Sequence, residues 1–122
     1  MADIKILVVD DDPLTATALQ AGLIGHGYET LMANNGKDGL ALALQHHPNL
    51  VVLDWVMENG DGEWTIGELR KDDWGKTANV LVLTGHDSIE ALNAALRNNI
   101  THFFTKGDTP LEQLVQTIES LL

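Results

Sequence analysis

Short apolar runs alternate five times with longer stretches whose apolar residues recur every three or four positions. The short runs predict strands at Ile4–Val9, Tyr28–Ala33, Leu50–Asp54, Val80–Thr84 and Thr101–Thr105. The longer stretches predict helices over about Pro13–Ile24, Gly36–Gln45, Gly62–Arg70, Ser88–Asn98 and Pro110–Leu121. The last of these carries Leu111, Leu114, Val115, Ile118, Leu121 and Leu122 on one face, a core stripe. Asp12-Pro13 places a capping carboxylate before a proline suited to the first helical turn. Asp87-Ser-Ile-Glu90 and Thr109-Pro-Leu-Glu112 read as capping boxes, and Gly25 and Gly27 suit a helix exit. Strand–helix alternation argues for an α/β domain, a parallel sheet with helices on both faces. The first and third strands are almost wholly apolar, as central strands covered on both faces must be.

Two of these apolar strands run into carboxylates. Lys5-Ile-Leu-Val-Val9 continues into Asp10-Asp11-Asp12, and Leu50-Val-Val-Leu53 ends on Asp54. Adjacent like charges repel, and a cation would offset that cost. A five-stranded open sheet has two common orders. In the order 2-1-3-4-5 strands one and three are neighbours, and the switch point falls at their carboxyl ends. That order joins Asp10, Asp11 and Asp54 in one acidic pocket, suited to a hard cation with oxygen ligands. Asp12 has a simpler use as the cap of the first helix. Asp54 could be a plain turn residue, but a carboxylate beside two others should be neutralised or metal-bound. With a cation present it could also attack a phosphoryl group.

Two further strand ends add chemistry. Thr84 closes the fourth strand with a hydroxyl, and Lys106 follows the fifth with an ammonium. Alone, Lys106 would read as a snorkelling surface lysine. Beside the carboxylates, the pair makes a plausible phosphoryl clamp. Other patterns fail. Glu58-Asn-Gly-Asp-Gly62 offers no register with the ligand spacing of an EF-hand. Gly22-Leu-Ile-Gly25-His-Gly27 ends a helix instead of opening one, so it is no dinucleotide fingerprint. His46-His47 before Pro48 reads as a solvated helix end, and Trp55, Trp64 and Trp74 as packing or surface residues.

Composition narrows the field. The chain has 122 residues, about one domain, with no Cys, so disulfides and thiolate metal sites are excluded. Its formal net charge of −11, with Lys and Arg scattered, argues against direct binding to nucleic acid or anionic membranes. No apolar run approaches the roughly 18 residues of a membrane span. Met-Ala-Asp-Ile-Lys leads straight into a strand, so no signal peptide is expected and a cytoplasmic location is.

Taken together, Val8-Val9-Asp10-Asp11, Leu53-Asp54, Asp61-Gly62, Leu83-Thr84-Gly85 and Phe103-Phe104-Thr105-Lys106 resemble the receiver domain of bacterial two-component response regulators. The resemblance covers essentially the whole chain and implies the flavodoxin-like, doubly wound sheet of order 2-1-3-4-5. It implies that Asp54 is the phosphoacceptor. It implies Mg²⁺ (or Mn²⁺) held by Asp11 and Asp54, by Asp10 directly or through water, and by the backbone carbonyl of Val56. Thr84 and Lys106 would hold the phosphoryl oxygens, and Thr84 and Phe103 would be the switch residues. The implied partners are a histidine kinase or phosphotransfer protein on one side and an unidentified output domain or effector on the other. The face made by the fourth helix, fifth strand and fifth helix would carry the switch and could pair two copies. Such a domain is not an enzyme in the ordinary sense, since it promotes only its own phosphorylation and dephosphorylation.

Two departures from the family pattern stand out. Glu58 replaces the Pro usual four residues after the acceptor, which is expected to perturb metal affinity or phosphoryl lifetime. Gly107 replaces the Pro usual after the lysine. Because a non-proline cis bond costs about 2.5–4 kcal/mol, Lys106–Gly107 is expected to be trans. Alternatives are weaker. A receiver-like interaction module working without phosphate would not need Asp11, Asp54, Thr84 and Lys106 together. A haloacid-dehalogenase-type phosphatase needs a second Asp two residues after its nucleophile, where Val56 stands. A flavodoxin-like FMN protein needs a hydroxyl- and Gly-rich phosphate loop where the three aspartates sit.

Overall fold

Alternate residues of each predicted strand face opposite sides, so two separate cores are required, one on each face of the sheet. The computed structural model, which describes residues 4–55, 57, 62–84, 89–100, 102–105 and 110–122, has this arrangement. Its strands are β1 (Lys5–Val9), β2 (Glu29–Ala33), β3 (Leu50–Asp54), β4 (Val80–Thr84) and β5 (His102–Thr105). Its helices are α1 (Pro13–Gly25), α2 (Gly36–His46), α3 (Gly62–Lys71), α4 (Ile89–Arg97) and α5 (Leu111–Leu121). All strand pairs are parallel and the order is β2-β1-β3-β4-β5. The expected fold and strand order are therefore both present.

Leu7, Val9, Val51, Leu53, Val80 and Val82 face a core closed by Ile66 and Leu69 of α3 and Ala94 and Ala95 of α4. Ile6, Val8, Leu50, Val52, Leu81 and Leu83 face the other, closed by Leu19 and Leu23 of α1 and Leu114, Val115 and Ile118 of α5. The expected stripe on α5 thus packs in part: Leu114, Val115 and Ile118 are buried, whereas Leu111 and Leu122 are exposed. With a branched or leucyl side chain on both sides at every step, β1 and β3 have no register freedom, since a slip of one residue would exchange the two cores.

The ends of α1 follow local chemistry. Asp12 is its N-cap, its side chain accepting from the Leu14 N–H at 3.2 Å, with Pro13 opening the helix. Gly27 takes φ +88° just past the exit, and the Tyr28 N–H returns to the Leu23 carbonyl. Some ends differ from expectation. Pro110 holds the N-cap place of α5, in extended backbone and without a side-chain cap, so α5 opens one residue later than a Thr109 cap would set it. Thr101, Thr109 and the Asp87–Ser88 half of the other capping box lie outside the described residues. The periodicity also passed over a single 3₁₀ turn, Gly75–Thr77, between α3 and β4. It forms because the Asp72 carboxylate accepts from the N–H groups of Trp74 and Gly75, each at 3.0 Å, which winds the chain tightly after α3.

Candidate functional site

Parallel pairing of Val9 with Leu53 puts the next residues, Asp10 and Asp54, side by side at the carboxyl ends of the two central strands. Both are 4% exposed. The ladder continues one step past β1, where the Asp10 N–H donates to the Ala33 carbonyl at 3.0 Å. One oxygen of the Asp10 side chain then accepts from the Asp12 N–H at 2.8 Å, bending the chain out of the sheet. That bend leaves Asp11 exposed at its tip, and Asp12 capping α1 with a further bond from the Thr15 hydroxyl at 2.6 Å. Asp12 therefore serves the helix, as its proline neighbour suggested.

Asp10, Asp11 and Asp54 each bring a carboxylate oxygen to within 4.8 Å of the other two. Ligand atoms across an octahedral Mg²⁺ lie about 4.2 Å apart, twice a bond of about 2.1 Å. The 4.8 Å bound is of the same order, so the three oxygens stand close enough to share one ion. The donor set is oxygen only, with two oxygens held at dry strand ends, which is what a hard divalent cation selects. The three carboxylates expected to hold a metal are thus brought together by the fold. Val56, whose backbone carbonyl was expected to complete the set, lies outside the described residues.

The clamp is placed in part. Thr84 ends β4 opposite Thr105 of β5, one step beyond Leu83, which pairs with Asp54. Its backbone therefore borders the acidic cluster, and Lys106 follows directly after Thr105 in the chain. Lys106 itself lies outside the described residues, as do Glu58, Asp61, Gly85 and Gly107, so the expected trans Lys106–Gly107 bond and the effect of Glu58 do too. Phe103 is half-buried on β5, the edge strand, and packs against the core under α3 and α4.

Other residues also shape the site. Gly62 opens α3 with its N–H on the Trp55 carbonyl at 2.8 Å. A Cβ there would stand 2.7 Å from the Trp55 Cα and 2.9 Å from the Asp54 carbonyl oxygen. Gly62 thus lets α3 begin directly against the strand end that carries Asp54. Asn35 caps α2, accepting from the Asp38 N–H at 2.8 Å and donating to the Asp38 carboxylate at 2.8 Å. The spacing Asn35-Gly-Lys-Asp38 was a readable capping signal. Trp55 is 7% exposed beside Asp54, a packing residue placed to report on the site. His47 ends α2 in the left-handed region, φ 47°, and its ring stacks on Trp74 at 4.4 Å and 9°. That is a helix end, as expected, and neither His46 nor His47 joins a metal-ligating cluster among the described residues.

Comparison with known proteins agrees with this geometry. Residues 6–119 match the model of the response regulator receiver domain. The chain is 35% identical over 118 residues to the protein PilH of Pseudomonas aeruginosa, covering 97% of each chain. It is 38% identical over 118 residues to an uncharacterised 14.6 kDa protein of Leptolyngbya boryana, covering 95% of this chain and 90% of that one. Among solved structures it is similar to the chemotaxis protein CheY4 of Vibrio cholerae, with a TM-score of 0.91 at 26% identity over 99% of this chain and all (100%) of that one. No helix among the described residues is long and apolar enough to cross a membrane.

Proposed function

The chain belongs to the response regulator receiver domain family, and from that premise we propose that it takes a phosphoryl group from phosphohistidine onto Asp54 and switches an output partner. The donor is a histidine kinase or phosphotransfer protein. An Asp54 carboxylate oxygen forms the new P–O bond as the donor's P–N bond breaks, and the imidazole leaves with the electron pair. Mg²⁺, when bound, offsets charge on the attacking carboxylate and on the phosphoryl group. Asp10 and Asp11 hold that charge balance in place, and the buried strand end keeps Asp54 at a fixed angle to the donor. Thr84 and Lys106 take the roles of hydroxyl and ammonium partners to the new phosphate. Phe103 turns toward the space that Thr84 leaves, which shifts the balance between two packings of α4, β5 and α5. The domain acts on no separate substrate, since gain and loss of its own phosphate are its only turnover, and it works in the cytoplasm.

The observation that carries this reading is the junction of Asp10, Asp11 and Asp54 at neighbouring strand ends. Beryllofluoride with Mg²⁺ tests it, because the adduct mimics a stable aspartyl phosphate. Trp55 fluorescence and amide shifts along β5 and α4 should change in the parent chain and stay still in Asp54→Asn. No response in the parent chain would favour an interaction module that works without phosphate.

A further inference from the structure

The opposite end of the sheet holds a second polar depression, of about 330 Å³, at the amino ends of β3, β4 and β5. Arg70, Lys76, Thr77, Asn79, Asn99 and His102 line it, with Leu50, Val80 and Leu121 as apolar wall. The volume lies at the small end of the range for ligand sites, roughly 300–1,000 Å³. In a chain of −11 net charge with only 7 Lys and Arg, two of the cations meet at this one concavity.

Arg70 is held there by three hydrogen bonds. Its Nε donates to the Asn98 carbonyl at 2.9 Å, and its Nη1 to the carbonyls of Gly75 and Ala78 at 2.7 and 2.8 Å. These three bonds lock the guanidinium plane between α3, the 3₁₀ turn and the α4–β5 connection. Nη2 has no protein partner among the described residues and is not shut away from solvent. The guanidinium is half-buried, and that burial lowers its pKa from the ordinary arginine value. Among the described residues the Lys76 ammonium has a loose contact with the exposed Asp73, at 3.5 Å. The side-chain amides of Asn79 and Asn99 make no hydrogen bond among the described residues. Asn99 sits at φ 61°, the left-handed C′ position of a Schellman end to α4, where the Ile100 N–H returns to the Ala95 carbonyl and the Asn99 N–H to that of Leu96.

We propose that this depression is a binding site for a small organic oxyanion, a phosphate monoester or a dicarboxylate. Nη2 of Arg70, the guanidinium nitrogen not engaged by a carbonyl among the described residues, would donate to the oxyanion, Lys76 would supply the second charge, and the two asparagine amides would donate. The apolar wall would take the carbon part of the ligand. His102 opens β5, one residue before Phe103, so an occupant touches the strand that carries the switch aromatic. The inference does not depend on phosphorylation at the other end.

The test uses the whole Asp54→Asn chain in Mg²⁺-free buffer, which silences the acidic end. Phenyl phosphate, inorganic phosphate and succinate are titrated by amide NMR at ionic strength held constant with NaCl. Saturable shifts at residues 76–80 and 98–103, in roughly the millimolar range, are expected from phenyl phosphate or succinate. Inorganic phosphate distinguishes a bare-phosphate requirement from one that needs the carbon body. Lys76→Gln with Asn99→Gly removes one positive charge and one amide donor while the Arg70 clamp and the positive φ remain, so the fold persists and binding should weaken about tenfold or more. Absence of saturable shifts from all three probes, or equal binding in the double variant, would overturn the proposal.

Discussion

At the carboxyl ends of β1 and β3 two carboxylates are almost wholly buried beside a third, and like charge crowds like charge. At the amino ends of β3 and β4 a guanidinium is half-buried, and three backbone carbonyls already take its protons. One sheet thus carries charge in two ways. Where the backbone satisfies most of a charged group's donors, removing the group orphans the backbone and costs stability, whatever the remaining donors bind. Where charges oppose one another, removing one relieves the fold and harms a ligand site. The contrast separates charges whose removal costs the fold from charges whose removal relieves it.

Four substitutions break or sharpen that contrast. Arg70→Met should cost the most, about 3 kcal/mol, because it leaves three partly buried carbonyls without donors. Urea unfolding reads it, and a change below about 0.5 kcal/mol would mean that water replaces the clamp. Asp11→Asn should act in the opposite sense, raising the melting temperature of the Mg²⁺-free chain. It should also cut Mg²⁺ affinity about tenfold, or about 1.4 kcal/mol, read as loss of the Mg²⁺-dependent rise in that temperature. Asp12→Ala should cost about 1 kcal/mol through its lost cap and leave Mg²⁺ affinity unchanged. A fall in metal affinity would move Asp12 into the ligand set.

The smallest effect belongs to Tyr28, also at the amino end. Burial, and then the Glu119 carboxylate as neighbouring charge and hydrogen-bond acceptor, raise its pKa above the ordinary tyrosine value of 10.0. The folded chain therefore keeps a proton that the unfolded chain loses, so stability falls as pH rises above about 10. Tyr28→Phe should flatten that alkaline limb, measured as the difference in unfolding midpoint between pH 9 and pH 11 (roughly one unit either side of the unperturbed value).

Much of this was legible from local pattern. The ten main elements follow from apolar period and helix caps, with ends within one or two residues of those found. Asp10, Asp11 and Asp54 stood out because nothing in a strand or cap required them. The 3₁₀ turn and the Arg70 clamp were not legible. Arg70 reads as the polar end of an amphipathic helix, and its partners are carbonyls of Asn98, Gly75 and Ala78, which no side chain announces. Gly62 reads correctly as the start of the third helix, but nothing in the spacing shows the Trp55 backbone lying against it. The exposure of Leu111 and Leu122, on a face that spacing alone marks as core, shows the same limit.

What the sequence by itself determined is therefore the set of elements, the two-sided burial of β1 and β3, and the chemical types at the strand ends. Periodicity and capping act over a few residues, so they are written in neighbouring letters. The tertiary structure alone decided that Val9 pairs with Leu53, which sets Asp10 beside Asp54, and that α3, the 3₁₀ turn and the α4–β5 connection converge on one guanidinium. Those contacts join segments far apart in the chain, and they arise only when both cores close together around a sheet of one particular order.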